Sequence, residues 1–207
     1  MSIAHVHMGD DWQALASIYQ PNINGSVAQN MMPLLGDSAA LNEAIQRLQT
    51  TIHSPDIRLH CALDDLPQAL IDALPTGNGM AELARAIHTI SDAFCILFEC
   101  DSVALRLSRL NKAMCPKFHV DHIPVRLIWT LAGPGTEWLS EDNADRSQLG
   151  TPGDACLCPG AIQQLQAGDI ALMKGEGWEG NEGFGFIHRS PAVSSPEPRL
   201  VLTLDLA

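Results

Sequence analysis

The sequence predicts an α+β fold in which helices, supplied mainly by the N-terminal half, pack outside a barrel or jelly-roll sandwich of short strands built by the C-terminal half. Three observations lead there. Helical apolar spacing dominates residues 39–100, short alternating runs broken by Gly and Pro take over from residue 101, and the last run, 199–206 (RLVLTLDL), sets four leucines on one face of a strand. With 207 residues and 46% hydrophobic content the chain is long enough to bury a sizeable core. One domain, 1–207, is expected, with 1–100 mostly helical plus one or two strands and 101–207 carrying the site.

Taken in order, residues 39–50 (AALNEAIQRLQT) and 64–74 (DDLPQALIDAL) have helical apolar spacing, with Asp64 or Asp65 as N-cap and Pro67 in the first turn. Between them, 57–63 (IRLHCAL) alternates as a strand does. Leu83, Ile87, Ile90, Phe94 and Leu97 give 79–100 the period of one long helix packed on a sheet. Strands follow at 103–107, 125–131, 168–173 (GDIALM), 184–188 (FGFIH) and 199–206. In the last of these, Leu200, Leu202, Leu204 and Leu206 face the helices, while Arg199, Val201, Thr203 and Asp205 face the barrel interior. The segment 190–198 (SPAVSSPEP) is rich in turn residues and is expected to bring the chain back antiparallel, placing His188 near Arg199.

Residues i and i+2 of an extended strand share a face, so His119 and Asp121 present an imidazole and a carboxylate to one metal ion, and His188 completes a two-histidine, one-carboxylate set. Such a set leaves coordination positions open, which suits non-haem Fe(II). The triplet by itself is weak, because eight His and 24 acidic residues in 207 produce His-x-Asp/Glu about once by chance. The polarity of the strand that opens with Arg199 adds what the triplet lacks, a guanidinium directed at the same interior as an anion clamp. His122 points away from the His119 face, and His5 and His7 sit in the terminal segment. Trp129, Trp138, Trp178 and Phe186 are candidate pocket walls, although an aromatic among strands is more often core.

Composition removes several classes of partner. Twelve basic against 24 acidic residues give a net charge of -12, which opposes binding to nucleic acid and to anionic membrane surfaces. A small carboxylate still fits a local Arg126 or Arg199. No run of about 18 apolar residues spans a bilayer, and MSIAHVHMGDDW lacks the basic and apolar regions of a signal peptide, so a cytoplasmic protein is expected. Six cysteines form no CxxC pair and leave Cys156 and Cys158, on a Gly/Pro-rich loop, as the one close pair, a candidate for a soft metal against the plainer reading of free thiols.

His119-Val120-Asp121, 131–138 (LAGPGTEW), 167–176 (AGDIALMKGE) and FIHRSP closing on RLVLTLD resemble the Fe(II)/2-oxoglutarate-dependent dioxygenases over residues 100–206. More narrowly, 115–139 with 174–191 resembles a family of small bacterial proteins known as a domain of unknown function. The first resemblance implies a double-stranded β-helix (jelly-roll, cupin-like) core, Fe(II) held by His119, Asp121 and His188, and Arg199 on the distal carboxylate of the small-molecule co-substrate 2-oxoglutarate, with a hydroxyl contact from Thr203. Two other classes use the same residues: a cupin-like protein holding Zn(II) or iron without oxygenase activity, and a scaffold that binds no metal. Arg199 separates the first two, since a metal handler has no need of a buried guanidinium beside its ion.

Overall fold

The structure is a computed structural model that describes residues 5–50, 56–193 and 197–207. Strands β1 (His5–Gly9), β2 (Ile23–Ala28), β3 (Asp56–Ala62), β4 (Ser102–Leu110), β5 (Val125–Ala132), β8 (Ile170–Lys174) and β10 (Arg199–Leu206) form a sheet in the order β1-β2-β8-β5-β10-β4-β3. All of its pairings are antiparallel except β1 with β2. A smaller antiparallel sheet joins β6 (Glu137–Trp138), β7 (Gln163–Gln164) and β9 (His188–Arg189) in the order β7-β6-β9. Four α-helices complete the described residues: α1 (Gln13–Ala16), α2 (Ser38–Thr50), α3 (Leu66–Ala73) and α4 (Met80–Phe98).

Alternation along the strands divides the interior into two layers. Val103, Leu105 and Leu107 of β4, Leu127 and Trp129 of β5, and Leu200, Leu202 and Leu204 of β10 pack in one cluster with Leu41, Ile45 and Leu48 of α2 and Leu83, Ile87, Ile90 and Phe94 of α4. Each such buried leucine contributes roughly 1.5–3 kcal/mol relative to exposure. On the opposite face, Val27, Ile128, Ala171, Met173 and Val201 meet Trp138 and Phe186 of the smaller sheet region. Helices, large sheet and small sheet therefore stack as three layers, with polar residues of β3, β4, β5 and β10 turned toward the small sheet.

Helices α2, α3 and α4 and the strands at 57–63, 103–107, 125–131 and 199–206 lie where the sequence predicts them, whereas α1 is not foreseen. Several details differ. Three strands, not one or two, come from the first hundred residues, because β1 and β2 join the large sheet next to β8. The run 184–188 is extended as a strand only at its end, β9 being His188–Arg189. Asp65 precedes α3 but its side chain makes no cap hydrogen bond; a short 3-10 turn, Leu63–Asp65, leads into the helix instead. His188 and Arg199 are not on paired strands, since β9 pairs with β6 and β10 with β4 and β5. Of the expected turn at 190–198, residues 194–196 lie outside the described residues.

Two close approaches position the site. Gly133, at φ +79°, sits against the start of β10, where a Cβ would lie 2.9 Å from the Arg199 Cα. Only glycine adopts that turn at that distance without strain. The β5–β10 register shifts at Leu200/Val201, beside the same point, and such irregularities re-aim a neighbouring side chain. Gly175 packs its backbone onto 121–124; a Cβ there would meet Ile123 O at 2.0 Å. Hydrogen bonds from Gly175 N to Pro124 O (2.9 Å) and Glu176 N to Asp121 O (2.8 Å) fix that segment.

Candidate metal centre

His119 lies not in a strand but in an extended segment with a single bridge to His188. The two residues exchange both backbone hydrogen bonds, each N–H···O 3.0 Å, which sets them directly opposite one another. Their rings lie with centroids 4.5 Å apart and planes tilted by 50°. The i, i+2 relation still holds for Asp121: its Oδ1 is 3.8 Å from His119 Nε2 and its Oδ2 3.7 Å from His188 Nε2. One potential ligand atom from each of His119, Asp121 and His188 lies within 4.8 Å of the others, and this is the one group of its kind among the described residues.

Both imidazoles are held the same way. The Nδ1 of His119 is 3.0 Å from Lys117 O, and the Nδ1 of His188 is 3.0 Å from Phe186 O, in each case the carbonyl two residues earlier. A carbonyl only accepts, so Nδ1 carries the proton and donates it, leaving the Nε2 lone pair free. That is the tautomer and outer-shell bond of a metal-binding histidine. Burial pushes the His188 pKa down to about 4, against the attraction of Asp121, so this ring is neutral at physiological pH.

Asp121 is positioned by Arg126. Arg126 Nη1 donates to Asp121 Oδ2 at 2.9 Å, while its Nε and Nη2 grip Asp205 Oδ1 and Oδ2 at 2.8 and 2.7 Å. Burial disfavours the Arg126 charge, and the two carboxylates more than offset it, so its pKa stands above the ordinary arginine value. The sequence offers Arg126 as a possible anion binder; the structure shows it already occupied by two carboxylates. Its partner Asp205 lies 79 residues away, a pairing visible only once β5 and β10 are in register.

Arg199 contrasts with it. Its residue surface is 3% exposed, and among the described residues no carboxylate pairs with it. Nη2 donates to Thr136 Oγ1 at 2.6 Å and more weakly to Thr130 Oγ1 at 3.4 Å, and Nε has no partner. Burial alone lowers its pKa to about 10, so it remains charged at neutral pH. Arg199, Thr136, Thr203, His119 and His188 line one cavity of about 370 Å³. Sequence reasoning does not single out Thr136; its place directly after the glycine turn 133–135 is the one signal that could have found it.

The other candidates go elsewhere. None of Trp129, Trp138, Trp178 and Phe186 lines this cavity: Trp129 belongs to the helix-side core, where Trp178 packs at the edge, and Trp138 and Phe186 fill the layer between the sheets. Cys156 and Cys158 are bonded around Asn143, whose Nδ2 reaches Cys158 O at 3.1 Å and whose Oδ1 accepts from Cys158 N at 2.7 Å. His122 is turned outward and pairs with Glu176 at 3.1 Å. No helix among the described residues is long and apolar enough to cross a membrane.

A family model described as protein of unknown function (DUF1826) matches residues 9–205. No curated protein matches the chain. Among solved structures, the fold is similar to the rice dioxygenase for auxin oxidation, DAO, with TM-score 0.54 and 12% identity over 98% of this chain and 82% of that one. It is also similar to the Fe(II)/(alpha)ketoglutarate-dependent dioxygenase TqaL, with TM-score 0.54 and 14% identity over 94% and 86% of the two chains. JOX2, solved in complex with 2OG, Fe and JA, matches with TM-score 0.52 and 11% identity over 99% and 76%. At such identities the likeness establishes a shared fold, and function rests on the site itself.

Proposed function

The chain belongs to the DUF1826 family, and from that premise we propose that it is a single-domain, double-stranded β-helix oxygenase dependent on Fe(II) and 2-oxoglutarate. The observation that carries the reading is Arg199: a buried, charged guanidinium that has no carboxylate partner among the described residues, in the same cavity as the two histidines of the His-Asp-His group. A buried charge left unpaired costs several kcal/mol, and a dicarboxylate co-substrate would supply the missing partner.

The donor set fits the metal. Two imidazoles with free Nε2 atoms and one carboxylate would hold Fe(II), and a three-residue donor set of this kind would leave room for a 2-oxoacid. When bound, iron and 2-oxoglutarate supply the oxidation of a substrate carbon by dioxygen, with decarboxylation of the 2-oxoacid to succinate and CO₂. The chain's own residues do the positioning. Arg199 takes the distal carboxylate, Thr136 and Thr130 fix the plane of its guanidinium, and Thr203 adds a hydroxyl on the same face. Arg126 holds Asp121 in the rotamer that faces both histidines. The layer of Ile128, Val201, Trp138 and Phe186 between the sheets keeps water out of the region behind the site.

Succinate formation from 2-oxoglutarate under Fe(II) and air tests this reading. The parent protein is expected to form succinate slowly even without a primary substrate, and His119→Ala is expected to abolish it. Equal succinate formation by parent and His119→Ala would overturn the assignment, and metal binding without any 2-oxoglutarate binding would reduce the site to a metal holder.

A further inference from the structure

The chain carries a net charge of -12, yet five of its nine arginines, Arg58, Arg106, Arg126, Arg189 and Arg199, line the cavity that His119 and His188 share. Three of them have defined work. Arg126 is held by Asp121 and Asp205, Arg189 bonds Glu137 at 2.5 Å with its guanidinium 4.2 Å from the centroid of the Phe118 ring, and Arg199 is reserved for the co-substrate. Arg58 and Arg106 remain.

These two lie on β3 and β4 and are direct partners in the antiparallel register. Like charges placed opposite each other across two strands destabilise the pairing. One carboxylate, Asp56, stands between them: Arg106 Nε reaches Oδ1 at 2.9 Å and Arg58 Nη2 reaches Oδ2 at 3.2 Å. Ser108 also donates to Oδ1 at 2.9 Å, so that carboxylate is already shared three ways. The Nη1 of Arg106 meets only the thioether of Met114 at 3.5 Å, a weak acceptor. Charge on β3, an edge strand, also discourages pairing with other chains. A lone cation would serve that purpose, whereas two opposed guanidiniums on the cavity side of the sheet form a fork for one anion.

Depth orders the site. Arg58 is 66% exposed and Arg106 33% exposed at the rim, while Arg199 is buried at the base. We propose that the primary substrate is a small-molecule anion, a carboxylate or a phosphate, whose charged group docks between Arg58 and Arg106 while the carbon to be oxidised extends toward His119 and His188. This rests on the oxygenase reading of the same cavity. A volume of about 370 Å³ is at the small end for ligand sites, enough for the co-substrate and a compact acid.

The test is calorimetric titration of inorganic phosphate and, separately, benzoate into Mn(II)-loaded protein at low ionic strength, with 2-oxoglutarate saturating so that Arg199 is occupied. Benzamide serves as the uncharged control. At least one anion is expected to bind the parent, benzamide is not, and the Arg58→Gln/Arg106→Gln double variant is expected to bind that anion at least about tenfold more weakly, with 2-oxoglutarate affinity unchanged within about twofold. Binding of phosphate alone assigns a phosphate substrate, and binding of benzoate alone a carboxylate. If the double variant does not fold, the exposed Arg58→Gln alone is expected to weaken the anion about threefold. Binding of neither anion to the parent, or equal binding by parent and variant, overturns the proposal. Should 2-oxoglutarate itself not bind, the oxygenase reading falls separately. The same anion titration on metal-free protein then decides whether Arg58 and Arg106 form an anion site, and loss of binding on substitution is the result that retains it.

Discussion

Of the five arginines that line the cavity, Arg126 and Arg199 are bound in opposite ways. At the metal end, Arg126 makes three hydrogen bonds to two carboxylates, and its charge is stabilised relative to water. At the far end, Arg199 is more deeply buried, holds only hydroxyls, leaves its Nε without a partner, and has its charge destabilised. A guanidinium already satisfied within the fold orients its neighbours; one left with an unpartnered Nε in a cavity is the group to which the proposed function assigns a ligand.

The comparison is most sharply broken by Arg199→Ala. Loss of a buried guanidinium from a carboxylate contact is expected to weaken 2-oxoglutarate binding by roughly 2–5 kcal/mol while metal binding is retained. Because the deleted charge is unpaired, thermal stability without ligand should hold or rise. Loss of metal together with 2-oxoglutarate would show that Arg199 belongs to the metal end.

At the metal end the next largest effect is a pH dependence. The folded-state pKa of His188 is depressed to about 4 from 6.5. Above pH 6.5 the ring is neutral in folded and unfolded chains alike. As pH falls from 6.5 toward 4, the unfolded chain takes up a proton that the folded chain refuses, so metal-free protein should lose up to roughly 3 kcal/mol of stability over that window. Denaturant titrations at several pH values check this, and His188→Asn should flatten the slope; an unchanged slope in that variant would place the titrating group elsewhere.

Arg126→Ala comes third. It leaves Asp121 free to rotate and should cut metal affinity about 10- to 100-fold, with 2-oxoglutarate weakened only through the metal. Competition with a chelator measures it, and unaltered metal affinity would mean that Asp121 needs no support. Smallest is Thr136→Val, which removes the 2.6 Å bond to Arg199 and should weaken 2-oxoglutarate by about 1 kcal/mol. The mirrored result, an effect on metal alone, would dissolve the division between the ends.

The contrast between these arginines was half legible in the sequence. The strand that opens with Arg199 alternates so regularly that its leucine face and its polar face are fixed by period alone, and both are as expected except at the strand's end, where Leu206 is exposed instead of packing on the helices. His119 and Asp121 follow from i, i+2 spacing, even though the segment bridges at only one residue. Arg126 was not legible, because its role depends on Asp205 across a register that no local pattern encodes. Strand β2, INGSVA, is buried at every position and interrupted by Asn24, Gly25 and Ser26, so neither alternation nor propensity marks it. β1 and β9 are short, and tertiary pairing rather than local preference makes them strands.

The most direct test is anaerobic calorimetric titration of 2-oxoglutarate into protein with and without Fe(II). The proposed function predicts binding of one co-substrate per chain that requires the metal, since the 2-oxoacid would need both the metal held by His119, Asp121 and His188 and the guanidinium of Arg199. Absence of binding, or equal binding with and without Fe(II), would contradict it.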